Sequence, residues 1–257
     1  MSIHPSSIIH PSSKIDESVE IGPFCIIGED VEIKKGSKLL SHVVLKGPTT
    51  IGENNTIYQF ATIGDDTPDK KYKGEKTKLI VGDNNIFREG VTIHRGTIQD
   101  QGITQIGSNN LFMAYTHIAH DCIINNNCIL SNAASLAGHV KLESHVSLGG
   151  FTLVHQFCQV GEYAFSGLGS VISQDVTPYT LVAGNHAKAY KINAEGLRRN
   201  GFTQTQISNL EKCFKLFIKS KKTIAERKEI YDNSNFSDQY TDKFIEFIIS
   251  SERGITR

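Results

Sequence analysis

The sequence predicts a mainly β protein: a coiled prism over residues 1–189, followed by an α-helical domain over residues 190–257. Three observations carry this. An aliphatic residue recurs every six positions, glycine or asparagine marks many of the corners between them, and after Pro178 the beat yields to helical patterning. Ile3, Ile9, Ile15, Ile21, Ile27, Ile33, Leu39, Leu45, Ile51, Ile57 and Ile63 keep the spacing without a miss. Val81, Phe87 and Ile93 resume it, and a third run extends from Ile106 through Ile118, Leu130, Leu142 and Val154 to Ile172, with Ser166 as its exception. This period fits neither an amphipathic helix nor an alternating strand. It describes a solenoid whose units bury their apolar residue only by stacking on neighbours, three hexads and 18 residues to the coil.

The residue after the aliphatic is often glycine, as at Gly52 and Gly82, where a tight corner is expected to need unusual φ/ψ. Ile51-Gly52-x-Asn54-Asn55 is spelled again at Val81 and Ile106, and asparagine tolerates the left-handed region best among non-glycine residues. The position four after the aliphatic is small or β-branched and is expected to face inward. Cys25, Cys122, Cys128 and Cys158 occupy it, which reads them as reduced packing residues rather than disulfides or metal ligands.

The beat breaks twice. Asp65 to Glu75, polar and turn-rich, separates Ile63 from Val81, and a shorter excursion beginning Arg95-Gly96-Thr97 separates Ile93 from Ile106. Loops held on a rigid scaffold commonly carry function. Beyond Pro178, Thr203-x-x-Gln206 and Thr223-x-x-Glu226 have capping-box form, and Ile207, Leu210, Phe214, Phe217 and Ile218 make one apolar helix face. Tyr240, Phe244, Phe247 and Ile248 repeat the design.

Composition suits a cytoplasmic protein. Met1 to Lys14 is polar, without the apolar stretch of a secretory signal, and no apolar run is long enough for a transmembrane segment. The net charge is zero, yet Lys188 to Lys228 carries a local +8, which leaves −8 on the remainder. That asymmetry can steer an acidic partner. Nucleic acid is not expected, because the basic stretch lacks interleaved aromatic platforms.

Five of the ten histidines lie between His117 and His155. Neighbouring coils are about 4.8 Å apart, so residues 18 apart stack, and His120, Gly138 and Gln156 form one column beside Asp121, His139 and Phe157. An imidazole with a neighbouring carboxylate can take a proton from an alcohol, and a glycine N–H can approach the oxyanion of an acyl-transfer intermediate. No serine or cysteine is convincingly placed as a covalent nucleophile, and no metal or cofactor is called for.

Five stretches together, His117-Ile118-Ala119-His120-Asp121-Cys122, Leu136-Ala137-Gly138-His139-Val140, His155-Gln156-Phe157-Cys158, Thr92-Ile93-His94-Arg95-Gly96-Thr97 and Gly184-Asn185-His186-Ala187, resemble the motifs of the UDP-N-acetylglucosamine O-acyltransferase family, hexapeptide-repeat enzymes that open lipid A biosynthesis. The resemblance implies a left-handed parallel β-helix, a hand that departs from the usual rule for parallel crossovers. It implies acyl transfer from a (3-hydroxy)acyl-[acyl carrier protein] to the 3-hydroxyl of UDP-N-acetylglucosamine, with His120 as general base, Asp121 orienting it and the Gly138 N–H holding the oxyanion. It also implies that His117, His139, His155 and Gln156 line the site, that Asp69 and Lys71 contact sugar and phosphate, and that His186, Asn193, Glu195 and Arg199 face the nucleotide. Asn200 departs from the pattern, since relatives carry a second arginine there, which leaves one diphosphate contact in question. Leu168 stands where long-chain relatives have glycine, implying a shorter acyl donor.

The family is a homotrimer with its site between subunits, and the basic helical stretch is the expected dock for acidic acyl carrier protein. Two alternatives remain open at this point: the same base acting on a 3-amino sugar, or a zinc enzyme of carbonic anhydrase type recruiting His117, His120 and His145.

Overall fold

The computed structural model describes residues 2–257. Among them, short strands stack into three parallel sheets of eleven, nine and eight strands that form the walls of a prism, with one antiparallel pair at the C-terminal end. Each strand pairs with those one coil before and after: Ile124 with Ile106 and Leu142, and Leu130 with Phe112 and Leu148. The hexad aliphatics from Ile21 to Ile172 are buried as one column along each corner of the interior, with Phe87 and Phe112 stacked at 4.9 Å. Burying one such side chain contributes about 1.5–3 kcal/mol. The exception, Ser166, is also buried. Its hydroxyl pairs with Thr152 Oγ1 at 2.8 Å and accepts the Gly149 N–H at 3.1 Å, so a polar rung replaces an apolar one without leaving either group unpaired.

The corners differ from the sequence expectation in one respect. The left-handed residue is the third after the aliphatic, as at Asn54, Asn84 and Asn109 and even at Phe24, Tyr115 and Phe157, all with φ between 54° and 65°. The glycine after the aliphatic usually has ordinary φ. It is required because coils nearly touch there: a Cβ at Gly82 would lie 2.7 Å from the Gly107 carbonyl oxygen. The second asparagine of each shared spelling is buried and links coils. Asn55 Oδ1 accepts the Asn85 N–H, Asn85 Oδ1 accepts the Asn110 N–H, and Asn110 Oδ1 accepts the Cys128 N–H, at 2.9, 2.9 and 2.7 Å. All five cysteines are free and buried.

After Ile172 the chain does not pass directly to helices. Strands Thr180–Ala183 and Lys188–Ile192 form an antiparallel hairpin across the expected boundary, and its first strand continues the coil wall beside Phe165–Ser166. Helices α1 (Ala194–Arg199), α2 (Gln204–Phe214), α3 (Ile224–Asp232) and α4 (Gln239–Ser250) follow, and both capping boxes read from the sequence are present. The predicted face from Ile207 to Ile218 is buried. Lys243 of α4 ties this unit to the coil by ion pairs to Glu162 at 2.7 Å and Glu143 at 3.4 Å. Not all of the basic stretch is surface: Arg227 is buried, donating to the carbonyls of Phe217 and Ser220 at 2.9 Å each, and Lys219 Nζ donates to the Ala189 carbonyl at 2.5 Å. Among the described residues no helix is long and apolar enough to cross a membrane.

Candidate active site

Both excursions leave the prism at one edge. Thr62–Asp65 leads into the first and Thr92–His94 into the second, and the chain re-enters at Lys78–Val81 and Ile103–Ile106. In the next coils that same edge is closed by the tight turns bearing Asp121, His139 and Phe157, each with φ between 59° and 65°. A turn of this kind throws the flanking side chains outward, so the edge becomes a ladder of polar groups under two loops.

On the ladder, His120 Nδ1 lies 2.8 Å from Asp121 Oδ2. Asp121 is only 4% exposed, and its carboxylate also accepts the Thr97 N–H at 2.8 Å and the Thr97 hydroxyl at 2.6 Å. Burial alone would raise its pKa, but the hydrogen bonds from His120 and Thr97 together outweigh it and hold the carboxyl below its ordinary value. An ionised carboxylate has no proton to give, so the short contact assigns the proton to His120 Nδ1 and leaves Nε2 with a free lone pair. The Asp121 backbone is fixed in turn by its N–H to Thr104 Oγ1 at 2.8 Å.

Gly138 sits one coil on, against the imidazole face. A Cβ there would meet His120 Cε1 at 2.6 Å and Nε2 at 2.8 Å. Its N–H has no partner among the described residues, whereas its carbonyl accepts the Phe157 N–H at 3.1 Å. His139 packs edge-on to His120 with ring centres 5.1 Å apart, stacks on Phe157 at 4.3 Å, and places Nδ1 2.9 Å from Asp100 Oδ2. Gln156 and His155 form the third rung and are exposed. Cys122 is buried, which pushes its thiol up to about 12, so it is no nucleophile.

His117 lies on the adjoining wall, its Nδ1 2.8 Å from Thr92 Oγ1, with the His94 ring at 5.1 Å. Burial lowers the pKa of both rings. For His94, burial and then repulsion from His117 push it down to about 4, and its Nδ1 is buried without a partner. A pKa held below the unfolded value of about 6.5 means the neutral ring favours the fold, and that stability is lost as pH falls from about 6.5 toward 4. Urea unfolding of a His94→Gln variant at pH 7 and 4.5 is expected to show an acid loss smaller than the parent's by roughly 1–2 kcal/mol. Equal losses would place the acid sensitivity elsewhere.

The other sequence-assigned residues lie apart from this cluster, and among the described residues no hydrogen bond or ion pair joins them to it. Asp69 and Lys71 are on the first excursion, where Asp69 Oδ1 accepts the Lys71 N–H at 2.9 Å. His186 is exposed in the loop of the terminal hairpin, which caps the wall that carries His117. Asn193 caps α1, accepting the Gly196 N–H at 3.2 Å and donating to the Tyr163 carbonyl at 2.9 Å. Glu195 pairs with Arg198 and Arg199 at 3.3 and 3.1 Å. Asn200 ends that helix, with its amide donating to the Gly196 carbonyl at 2.8 Å, a local role for the residue that departs from the family pattern. Leu168 is 78% exposed on the edge between the eleven- and nine-stranded walls, while His145, half-buried and stacked on Tyr163 at 4.4 Å, lies on the edge between the eight- and eleven-stranded walls. The zinc set of His117, His120 and His145 is therefore not assembled within the chain. The ligand-type atoms that do converge belong to His120, Asp121 and His139.

Four residues of the site had no role in the sequence reading. Arg95, buried, clamps the base of the first excursion through the Gly64 carbonyl, Asp66 and Tyr72, while Thr97, Thr104 and Asp100 hold Asp121 and His139. The signal was their place in or beside the second excursion, but only the fold shows which loop lies over which coil.

Comparison with known proteins places the chain in a family. A family model described as Udp N-acetylglucosamine O-acyltransferase, domain 2, matches residues 175–256, and one for the bacterial transferase hexapeptide (six repeats) matches residues 103–138. The acyl-[acyl-carrier-protein]–UDP-N-acetylglucosamine O-acyltransferase of Pseudomonas putida (strain W619) is 50% identical over 256 residues, covering 100% of this chain and 99% of its own. The enzyme of the same name from Saccharophagus degradans is 56% identical over 217 residues, 84% of each chain. Among solved structures, the UDP-N-acetylglucosamine O-acyltransferase of Moraxella catarrhalis aligns with a TM-score of 0.96 at 42% identity over 100% of both chains. The UDP-N-acetylglucosamine acyltransferase of Francisella novicida aligns at 0.94 and 40% identity, over 99% of this chain and 94% of its own. The shared fold is the left-handed parallel β-helix. The chain belongs to the UDP-N-acetylglucosamine O-acyltransferase family.

Proposed function

We propose that the protein, with residues 1–189 as its transferring unit, moves an acyl group from acyl-[acyl carrier protein] to the 3-hydroxyl of UDP-N-acetylglucosamine, the first step of lipid A biosynthesis. The observation that carries the chemistry is His120, pinned by buried Asp121 with Nε2 free and packed against Gly138, whose N–H has no partner among the described residues. Nε2 takes the proton of the sugar hydroxyl as its oxygen attacks the thioester carbonyl. The Gly138 N–H receives the oxyanion. Collapse forms the ester and expels the carrier thiolate, which takes the proton back from the imidazolium. His117, His139, His155 and Gln156 line the path, and Asp69, Lys71, His186, Asn193, Glu195 and Arg199 bind the nucleotide sugar. A 3-amino acceptor is not favoured, since the relatives above are O-acyltransferases by name.

We infer a cytoplasmic homotrimer, and the separation of these residues within one chain is what a site completed between copies would leave. In a cyclic assembly of prisms, one edge of a subunit meets a different edge of its neighbour. The His120 edge of one copy then faces another edge of the next, and Leu168 enters the groove from there. Each methylene removed from water contributes about 0.8 kcal/mol, which a leucine closing the groove forfeits for longer chains. The test is mass spectrometry of products from UDP-N-acetylglucosamine and a panel of acyl carrier protein thioesters. Sugar ester is the expected product, and its absence with every donor would refute the assignment. In the same panel Leu168→Gly is expected to shift preference to a donor longer by two or more carbons; an unchanged preference would remove Leu168 from the length-setting role.

A further inference from the structure

The last rung of the catalytic edge is supplied by the C-terminal tail. At Asp175 the turn is followed by a departure from the coil, and residues 251–256 return from α4 to cover it. The Asp175 N–H donates to the Gly254 carbonyl at 3.0 Å, and the Thr256 N–H to the Asp175 carbonyl at 2.7 Å. The Asp175 carboxylate, 1% exposed, accepts the Ser251 hydroxyl at 2.7 Å and the Gln159 N–H at 2.8 Å. This anchorage does not involve the Arg253 side chain, which reaches forward instead. Arg253 Nε donates to the Ser173 carbonyl at 3.0 Å, and one terminal nitrogen lies 2.8 Å from His155 Nδ1.

A guanidinium has donors only. His155 Nδ1 therefore accepts, and the ring proton sits on Nε2. The competing arrangement is also present in outline, because the Gln156 carbonyl is 3.2 Å from the same Nδ1 and would accept its proton if arginine were absent. Arg253 thus selects between two tautomers of a ring that stands on the ladder two coils beyond His120 and one coil short of the one that carries Leu168.

We propose that Arg253 is a positioning residue: by accepting nothing and donating to Nδ1, it keeps the His155 Nε2–H turned out as a hydrogen-bond donor for an acceptor oxygen of the acyl donor. The idea rests on the acyl-transfer reading for its kinetic consequence, but its structural part does not. In 15N-labelled protein above neutral pH, imidazole nitrogen shifts are expected to show His155 as the Nε2–H tautomer, and to show the Nδ1–H form gaining population in Arg253→Ala. The same variant is expected to raise KM for the acyl donor about 5- to 10-fold, the scale of one hydrogen bond, with KM for the nucleotide sugar unchanged and the melting temperature lowered by no more than about 2–4 °C for the lost Ser173 hydrogen bond. Arg253→Lys, one donor in place of a fork, is expected to recover part of the KM.

An unchanged tautomer in Arg253→Ala overturns the proposal whatever the kinetics. A changed tautomer with unaltered donor KM, or equal rises in both KM values, overturns the positioning role. Should the parent protein form no sugar ester, the assigned reaction fails while the tautomer measurement still decides the structural claim.

Discussion

Replacing His120 with alanine is expected to lower kcat by about 10²–10⁴-fold while leaving the fold intact. The side chain is outside the apolar core, and Asp121 keeps both Thr97 hydrogen bonds without it. Asp121→Asn is expected to approach the same loss by a different route. Its amide presents a donor toward Nδ1, so the ring proton moves to Nε2 and the base becomes a donor where it must accept. Steady-state rates with circular dichroism and thermal melts check both. Turnover within a few-fold of the parent in His120→Ala would remove His120 as base. A fully active Asp121→Asn would show that the tautomer does not matter.

The prism and the main site were legible because both are consequences of stacking. A strict six-residue beat places residues 18 apart in one column, so His120, Gly138 and Gln156 could be set together before any coordinates. What the period does not encode is anything that breaks it. Thr97 and Asp100 reach Asp121 and His139 from an excursion whose path no repeat specifies. Arg253 arrives from nearly a hundred residues further along the chain. The glycine rows were recognised, but for a different physical reason, since backbone crowding between coils rather than φ requires most of them. The basic stretch was a count of charges, and a count cannot tell that Arg227 is spent on the carbonyls ending the preceding helical segment. Leu168 was equally out of reach of the period, because within one chain its edge lies apart from the His120 edge.

Gly138→Ala carries the second large effect and separates catalytic crowding from ordinary crowding. The new methyl would stand 2.6 Å from His120 Cε1, 2.8 Å from Nε2 and 3.1 Å from Nδ1. The ring has little room to yield, since Asp121 holds Nδ1 and the His139 ring stands edge-on beside it. Either the imidazole rotates off its carboxylate or the 138 backbone retreats, which carries the oxyanion amide away with it. Misplacement of about 1 Å costs on the order of 10² in rate, and here two groups are displaced together, so a kcat loss of about 10²–10³ is expected. Overpacking adds a stability loss of roughly 1–3 kcal/mol. Gly82→Ala is the control: its Cβ would meet the Gly107 carbonyl oxygen at 2.7 Å, equally crowded but on another edge. That variant is expected to lose stability and keep its kcat within a few-fold. If the two variants lose kcat alike, the effect of Gly138 is general strain. If Gly138→Ala turns over normally, neither the close approach to His120 nor the oxyanion amide has the role assigned to it.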